Sequence, residues 1–485
     1  MDLSSNTINT FEKDFDKYDK YTVAKNAITN NNLLTVILNN DFIQNRKEIF
    51  AKKIDIDVKS SNQNNSGRCW LFAFLNVMRL KMIEKYKLNS DFEFSQTYLF
   101  FYDKLEKANY FLNKIIENKK EPSDSRIMTF LLNNPISDGG QYNMAANLIN
   151  KYGIIPSTAM KETFQSNNTH HMNQILKARL KYYAYMIHEN KYSNLDTLVK
   201  KAMNEIYRIL VIFLGKPVTK FTWEYNCKKG GSRTQTSKKN KRSSRKKEQG
   251  SRKKKRDSRK KKSCRKVYNV IKNITPLDFY KKIVPFNVDD HISLIHNPMR
   301  PYNKVYNVKY VNNMKKGNAT NYINVPINIL KETIIKSINN KDAIGFASEI
   351  DFHKHTKLGL LDKNLFNYKD TFGFELEMEK KDALKYYNNS LKHAMVFKGY
   401  TKNADVNNKS NKKGNTKSIR RWLVENSWGD ETGKHGNFTM GDSWFDDYVY
   451  QIVVHKKYVP RKLIKLLKAK PVELAPWDPF GELLI

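Results

Sequence analysis

Cysteine is scarce in this chain: Cys69, Cys227 and Cys264 are the only three among 485 residues. Three thiols cannot build a disulfide framework, and no two are spaced like half of a zinc site, which points to a reducing compartment. Long apolar runs are missing as well. No stretch approaches the ~18 uninterrupted apolar residues of a membrane span, and Met1 to Lys20, dotted with Asp, Glu and Lys, has no apolar signal-peptide core. The expectation is a soluble protein, not routed for secretion and with no membrane role. Acid is short relative to base, with 48 Asp and Glu against 87 Lys and Arg and a formal charge of +39. So large an excess implies either a polyanionic partner or one concentrated basic tract.

The charge is concentrated. Between Lys228 and Lys266 stand 21 basic residues against only Glu248 and Asp257, and Cys264 is the sole apolar residue. Such a segment cannot bury enough surface to offset the ordering entropy of its backbone, so it is expected to be disordered. It reads as a solvated insertion, as a non-specific nucleic-acid binder centred on Lys253, Lys254, Lys255 and Arg256, or as a nuclear-import signal. No aromatic residue is interleaved, so stacking on bases is not offered. The rest of the chain holds 27 Tyr and 26 Phe and is long enough to bury a substantial core.

Ser66 to Leu80 reads as a nearly all-round apolar helix, which belongs in the centre of a domain. Phe94 to Leu112, Gln141 to Tyr152 and Met172 to Tyr185 carry apolar residues three and four apart and read as further helices. After the basic tract come β-branched and aromatic runs at Tyr302 to Val311, Tyr322 to Val325, Ala343 to Phe346, His393 to Tyr400, Arg421 to Asn426 and Trp444 to Val454, all read as strands. The two runs containing His393 and Asn426 suggest a hairpin whose long solvated loop is Thr401 to Ser418. The fold class is α+β, helical first and sheet later, with a seam between. The expected organisation is a mainly helical region 1–227, the basic insertion 228–266, a mainly β half 267–470 and a C-terminal arm 471–485.

Cys69 opens the apolar helix just after Gly67 and Arg68, where free backbone N–H groups and the helix dipole favour a thiolate. A lone cysteine on an apolar helix is usually inert, so company decides. Gln63 lies six residues earlier in a polar loop, and its amide together with the Cys69 N–H could form an oxyanion hole. Downstream, His393 opens one strand and Asn426 closes the next. An Asn carbonyl accepting from one ring nitrogen fixes the imidazole tautomer and frees the other nitrogen for the sulfur. Trp428 could shield that hydrogen bond from water.

These strings, Gln63 to Arg79, His393-Ala394-Met395 and Val424-Glu425-Asn426-Ser427-Trp428-Gly429, resemble the bleomycin hydrolase branch of the papain-like cysteine peptidases. The resemblance extends to Glu93 to Leu112, Ser137 to Met144, Phe221 to Tyr225, Thr275 to Tyr280, Lys357 to Leu360 and the ending Leu474 to Gly481. It implies a papain-like fold and an intracellular, cytoplasmic aminopeptidase that acts on peptides with a free N-terminus, assembles as a homohexamer and needs no cofactor or metal. It implies Cys69 as nucleophile, His393 as acid and base, Asn426 as orienter and Gln63 as oxyanion donor. Gly139, Gly140, Trp70 and Trp428 would line the substrate cleft, and the terminal carboxylate at Ile485 would meet the substrate amine. Two features depart from the family: the Glu482 to Ile485 ending is bulkier than the small tails expected, and the basic insertion interrupts a region that normally runs straight on.

Overall fold

The computed structural model describes residues 1–56, 58–228, 266–376, 378–402 and 419–484. The centre of the basic tract, most of the 401–418 loop and Ile485 lie outside them, and so do the expectations that fall there. Among the described residues no helix is long and apolar enough to cross a membrane.

The helix Cys69–Tyr86 is the axis of the molecule. Its sequence, CWLFAFLNVMRLKMIEKY, is buried without a break from Cys69 to Leu80, because apolar side chains point in every direction and only a position between other layers can bury them all. It ends where Lys87 takes a left-handed conformation and its N–H returns to the Ile83 carbonyl. Helices Gln96–Glu117, Tyr142–Tyr152, His170–His188 and Leu195–Leu214 pack on one side of it around a continuous apolar core. The last of these was not foreseen, although its buried Leu198, Ala202, Ile206, Leu210 and Leu214 recur at helical spacing.

On the other side stands a 12-stranded mixed sheet whose centre is the run His291–Ile295, Val449–His455, Ile344–Ser348, His393–Lys402, Ile419–Glu425 and Asn437–Gly441. His393 pairs with Ser348, and Val396 pairs with Glu425 in the antiparallel neighbour. A second core lies on this sheet's far face, built on Leu330, Ile334, Phe397, Trp422 and Phe445.

One reading of the sequence needs correction, and two features of the fold were not foreseen. Trp444 to Val454 is not one strand: Asp442–Tyr448 is helical and only Val449–His455 is extended. Trp444, Phe445 and Tyr448 bury one helical face there, and a short apolar run does not separate helix from strand by composition. Two parts of the mainly helical region reach the β half: Lys52–Lys53 joins the sheet beside Tyr400 and Gly399, and Ile37 packs with Leu360, Leu365 and Phe366. The early segment thus straps itself onto the β half. Finally, Phe221–Lys228 and Lys266–Ile274 form a two-stranded antiparallel ribbon paired out to Lys228 and Lys266. The alternation of Phe221, Trp223 and Tyr225 is the signal that could have found it.

Candidate active site

The helix and the sheet meet at the first residue of each. Cys69 is the first residue of the helix, 4% exposed, and the backbone N–H groups of Trp70, of Cys69 itself and of Ala394 favour its anion. Ala394 follows His393, so the thiol lies against the start of the histidine strand. Burial nevertheless dominates and pushes the thiol up to about 11. His393 is equally enclosed, and burial pulls its imidazole down to about 4, with the Asn426 hydrogen bond opposing. Burial thus disfavours the charge on each group taken alone.

The orientation of the imidazole follows from hydrogen-bond logic. Asn426 Oδ1 lies 2.8 Å from His393 Nε2 and also accepts the Ser427 backbone N–H at 2.8 Å. A backbone N–H can only donate, which fixes the oxygen end of the Asn426 amide toward the ring. His393 Nε2 must then carry the proton, leaving Nδ1 as the bare base. Trp428 covers this bond with its ring centroid 4.7 Å from that of His393, and Asn426 is 1% exposed.

Gln63 reaches the site through a splice of two segments 364 residues apart. Its N–H donates to the Ser427 carbonyl at 2.9 Å, its side-chain Oε1 accepts from Ser427 Oγ at 2.7 Å, and the Gly429 N–H returns to Ser61 at 3.0 Å. The Nε2 donates to the Ser66 carbonyl at 2.7 Å. One of its two hydrogens is thus spent within the loop that leads to Cys69. Ser427 was not anticipated as a partner, and only its place between Asn426 and Trp428 could have suggested one.

The two glycines behave differently. Gly139 is tied from behind, its carbonyl accepting Lys107 Nζ at 2.5 Å. Gly140 lies flat on Trp70, so close that a Cβ there would sit 2.5 to 2.7 Å from the indole ring. It also lines a largely apolar pocket with Trp70, Phe74, Val77, Phe346 and Ala394. Asp138 holds this wall to the nucleophile loop: its carboxylate accepts the Gly67 N–H at 3.1 Å and pairs with Lys104 at 2.7 Å, and its carbonyl accepts Trp70 Nε1 at 2.8 Å. Burial opposes its ionisation, but Lys104 holds the carboxyl well below the usual range, while burial lowers the Lys104 ammonium to about 8.

A second buried ionic cluster joins the three elements that carry the site. Glu425, next to Asn426, accepts Arg79 of the nucleophile helix at 2.6 Å and Lys398 of the histidine strand at 2.9 Å. All three are buried. Charged residues inside otherwise apolar elements were the sequence signal for this cluster. The C-terminal arm runs past this side of the sheet. Val472–Leu474 pairs in parallel with Tyr306 to Val308, Arg300 meets Asp478 at 3.4 Å, and Phe480 packs edge-on against Tyr450. The position expected of Ile485 lies outside the described residues.

Thiol chemistry assisted by an oriented imidazole is what this seam can perform, and in class the protein is a cysteine peptidase. The model described as "Peptidase C1-like family" matches residues 2–241 and 259–481, and the chain belongs to that family. The unmatched gap falls within the basic tract. Among curated proteins the chain is similar to bleomycin hydrolase of Mus musculus, 35% identical across 99% of this chain and 98% of that one. It is also similar to aminopeptidase C of Listeria monocytogenes, 36% identical across 90% and 89%. Among solved structures it resembles PepW from Lactobacillus rhamnosis HN001, 32% identical over 99% of both chains with a TM-score of 0.86.

Proposed function

We propose that this cysteine aminopeptidase has a papain-like catalytic body and removes residues from the free N-terminus of peptides through a thioester on Cys69. The observation that carries the assignment of roles is the 2.8 Å bond from His393 Nε2 to Asn426 Oδ1, which leaves Nδ1 unprotonated on the residue just before Ala394, whose backbone N–H meets the thiol.

Burial penalises a lone thiolate and a lone imidazolium. Moving the thiol proton to His393 Nδ1 makes both charges together, so each stabilises the other while the N–H groups at the helix start support the sulfur. The sulfur attacks the first peptide carbonyl, and its lone pair forms the C–S bond as the carbonyl π pair moves to oxygen. The Cys69 N–H and the second Gln63 Nε2 hydrogen receive that oxyanion. Collapse expels the amine, which takes the proton from His393 and leaves the thioester. His393 then removes a proton from water, the hydroxide adds to the thioester, and the thiolate departs with the proton returning to sulfur.

The free amine is selected, in this reading, by the terminal carboxylate of the 471–485 arm. A fixed carboxylate rewards an ammonium at one depth and excludes longer chains. Gly140, Trp70 and Trp428 line the cleft, while Gly139 supports it from behind. The need for a reduced nucleophile and the scarcity of cysteine support a cytoplasmic setting, and the family resemblance supports a homohexamer. A nucleic-acid role for Lys228 to Lys266 finds no support in the relatives' names. The test is hydrolysis of matched peptides with a free or an acetylated N-terminus. Release of amino acids from the free peptide alone is expected, and cleavage of both would overturn the aminopeptidase reading.

A further inference from the structure

The groups around the catalytic imidazole are nearly all matched in charge. Asp351 and Glu349 are both held by Lys392, at 2.9 Å and 3.1 Å, and Glu349 also accepts the N–H groups of Ile350, Asp351 and Ser390. The exception is Lys354. It lies on the short strand Lys354–His355, paired with Leu361, and it makes no ion pair among the described residues. Its ammonium rests over the Trp428 ring, 5.2 Å from the centroid, and the same indole has its centroid 4.7 Å from that of His393. The ammonium is half-buried, and this burial lowers its pKa while Asp351 and Glu349 oppose the shift.

The chemistry says which part of a substrate lies there. His393 hands its proton to the departing amine, so the residue that leaves is on the imidazole side of the sulfur. The residue that becomes the thioester lies on the other side, toward Trp70 and Gly140. Trp428 and Lys354 therefore face the leaving residue. A partly desolvated cation that makes no direct ion pair among the described residues rewards an anion brought to it, since both charges interact where water screens them less.

We propose that Lys354 recognises a carboxylate on the first residue of the leaving peptide, supplied by the C-terminus of a dipeptide or by an Asp or Glu side chain. The inference rests on the aminopeptidase reading and adds the chemistry of the residue after the scissile bond. It makes dipeptides and peptides acidic at the second position the favoured substrates.

The test compares kcat/KM for Leu-Ala with Leu-Ala-amide and for Leu-Asp-Ala-amide with Leu-Asn-Ala-amide, in wild type and in Lys354→Met. Leucine aminomethylcoumarin, which has no carboxylate, serves as the reference. Wild type is expected to favour the acid member of at least one pair by about tenfold at low salt, as a partly screened pair of unit charges a few ångströms apart allows. The preference falls as ionic strength rises. In Lys354→Met the ratio drops to near one while the reference rate stays within about twofold, and Lys354→Glu inverts the preference. The first pair reports the terminal carboxylate and the second the acidic side chain. Ratios near one in wild type for both pairs, or ratios unchanged in Lys354→Met, would overturn the proposal. Failure of wild type on the aminomethylcoumarin reference would instead overturn the peptidase reading beneath it.

Discussion

Replacing Glu425 by Gln is the most demanding perturbation of the framework, because one carboxylate serves three catalytic elements. Its oxygens receive Arg79 at 2.6 Å and Lys398 at 2.9 Å, and none of the three side chains reaches solvent appreciably. Glutamine keeps the shape and removes the charge, leaving two buried cations facing each other. Breaking a buried pair costs about 3–5 kcal/mol. Arg79 retains Glu93 at 3.3 Å, so the lower part of that range, about 3 kcal/mol, is expected, a large share of the net stability of an ordinary domain. The assay is urea denaturation followed by tryptophan fluorescence, together with kcat per titrated active site. Both stability and kcat should fall, since the cluster joins the nucleophile helix, the histidine strand and the backbone next to Asn426. Burial alone would raise the Glu425 pKa, but Lys398 and Arg79 hold it below the ordinary carboxylate value. A depressed folded-state pKa stabilises above the unfolded value of ~4.3, and that contribution is lost as pH falls through the lower folded value. Glu425→Gln should therefore flatten that acid limb. A stability change under about 0.5 kcal/mol, the worth of an exposed pair, would refute the reasoning.

Three further outcomes are expected. Asn426→Ala frees the His393 ring and should lower kcat by roughly 10²-fold, within the range for general acid–base assistance, with a smaller change in KM; steady-state kinetics on leucine aminomethylcoumarin decide it. Gly140→Ala puts a methyl group into the Trp70 ring, which should cost about 1–3 kcal/mol of overpacking and raise KM, measured by denaturation and by kinetics. Burial lowers His393 to about 4, His291 to about 4 and His296 to about 3. The unfolded chain binds those protons first, near pH ~6.5, so stability should decline as pH falls from ~6.5 toward 4. A melting temperature that is flat across that window would contradict it.

Much of the site was legible because each of its residues stands in a locally recognisable setting. Cys69 begins a largely apolar helix, His393 begins a strand and Asn426 follows the end of the next, and the register between those strands brings the ring and the amide together. What stayed hidden depends on pairs far apart in the chain. Ser427 meets Gln63 across 364 residues, and Glu425 meets Arg79 across 346. No local pattern encodes such meetings; an unpaired charge in an apolar run is the only trace. The strap of residues 37 to 53 escaped notice for the same reason, since Ile37 finds its partners at Leu360, Leu365 and Phe366, and Lys52 pairs with Tyr400. Asp442–Tyr448 was misread because its aromatic spacing suits both periods. Gly139 and Gly140 look equivalent in sequence, yet only Gly140 lines the pocket, because Lys107 takes the other from behind.

The central claim is that Cys69 is the nucleophile among three thiols. Treatment with the thiol-directed epoxide E-64, followed by intact mass and peptide mapping, tests it most directly when hydrolysis is followed in parallel. One adduct per chain, on Cys69, appearing in step with loss of activity and absent from Cys69→Ser, is the expected result. An adduct on Cys227 or Cys264 that tracks inactivation, or full activity in Cys69→Ser, would contradict the account.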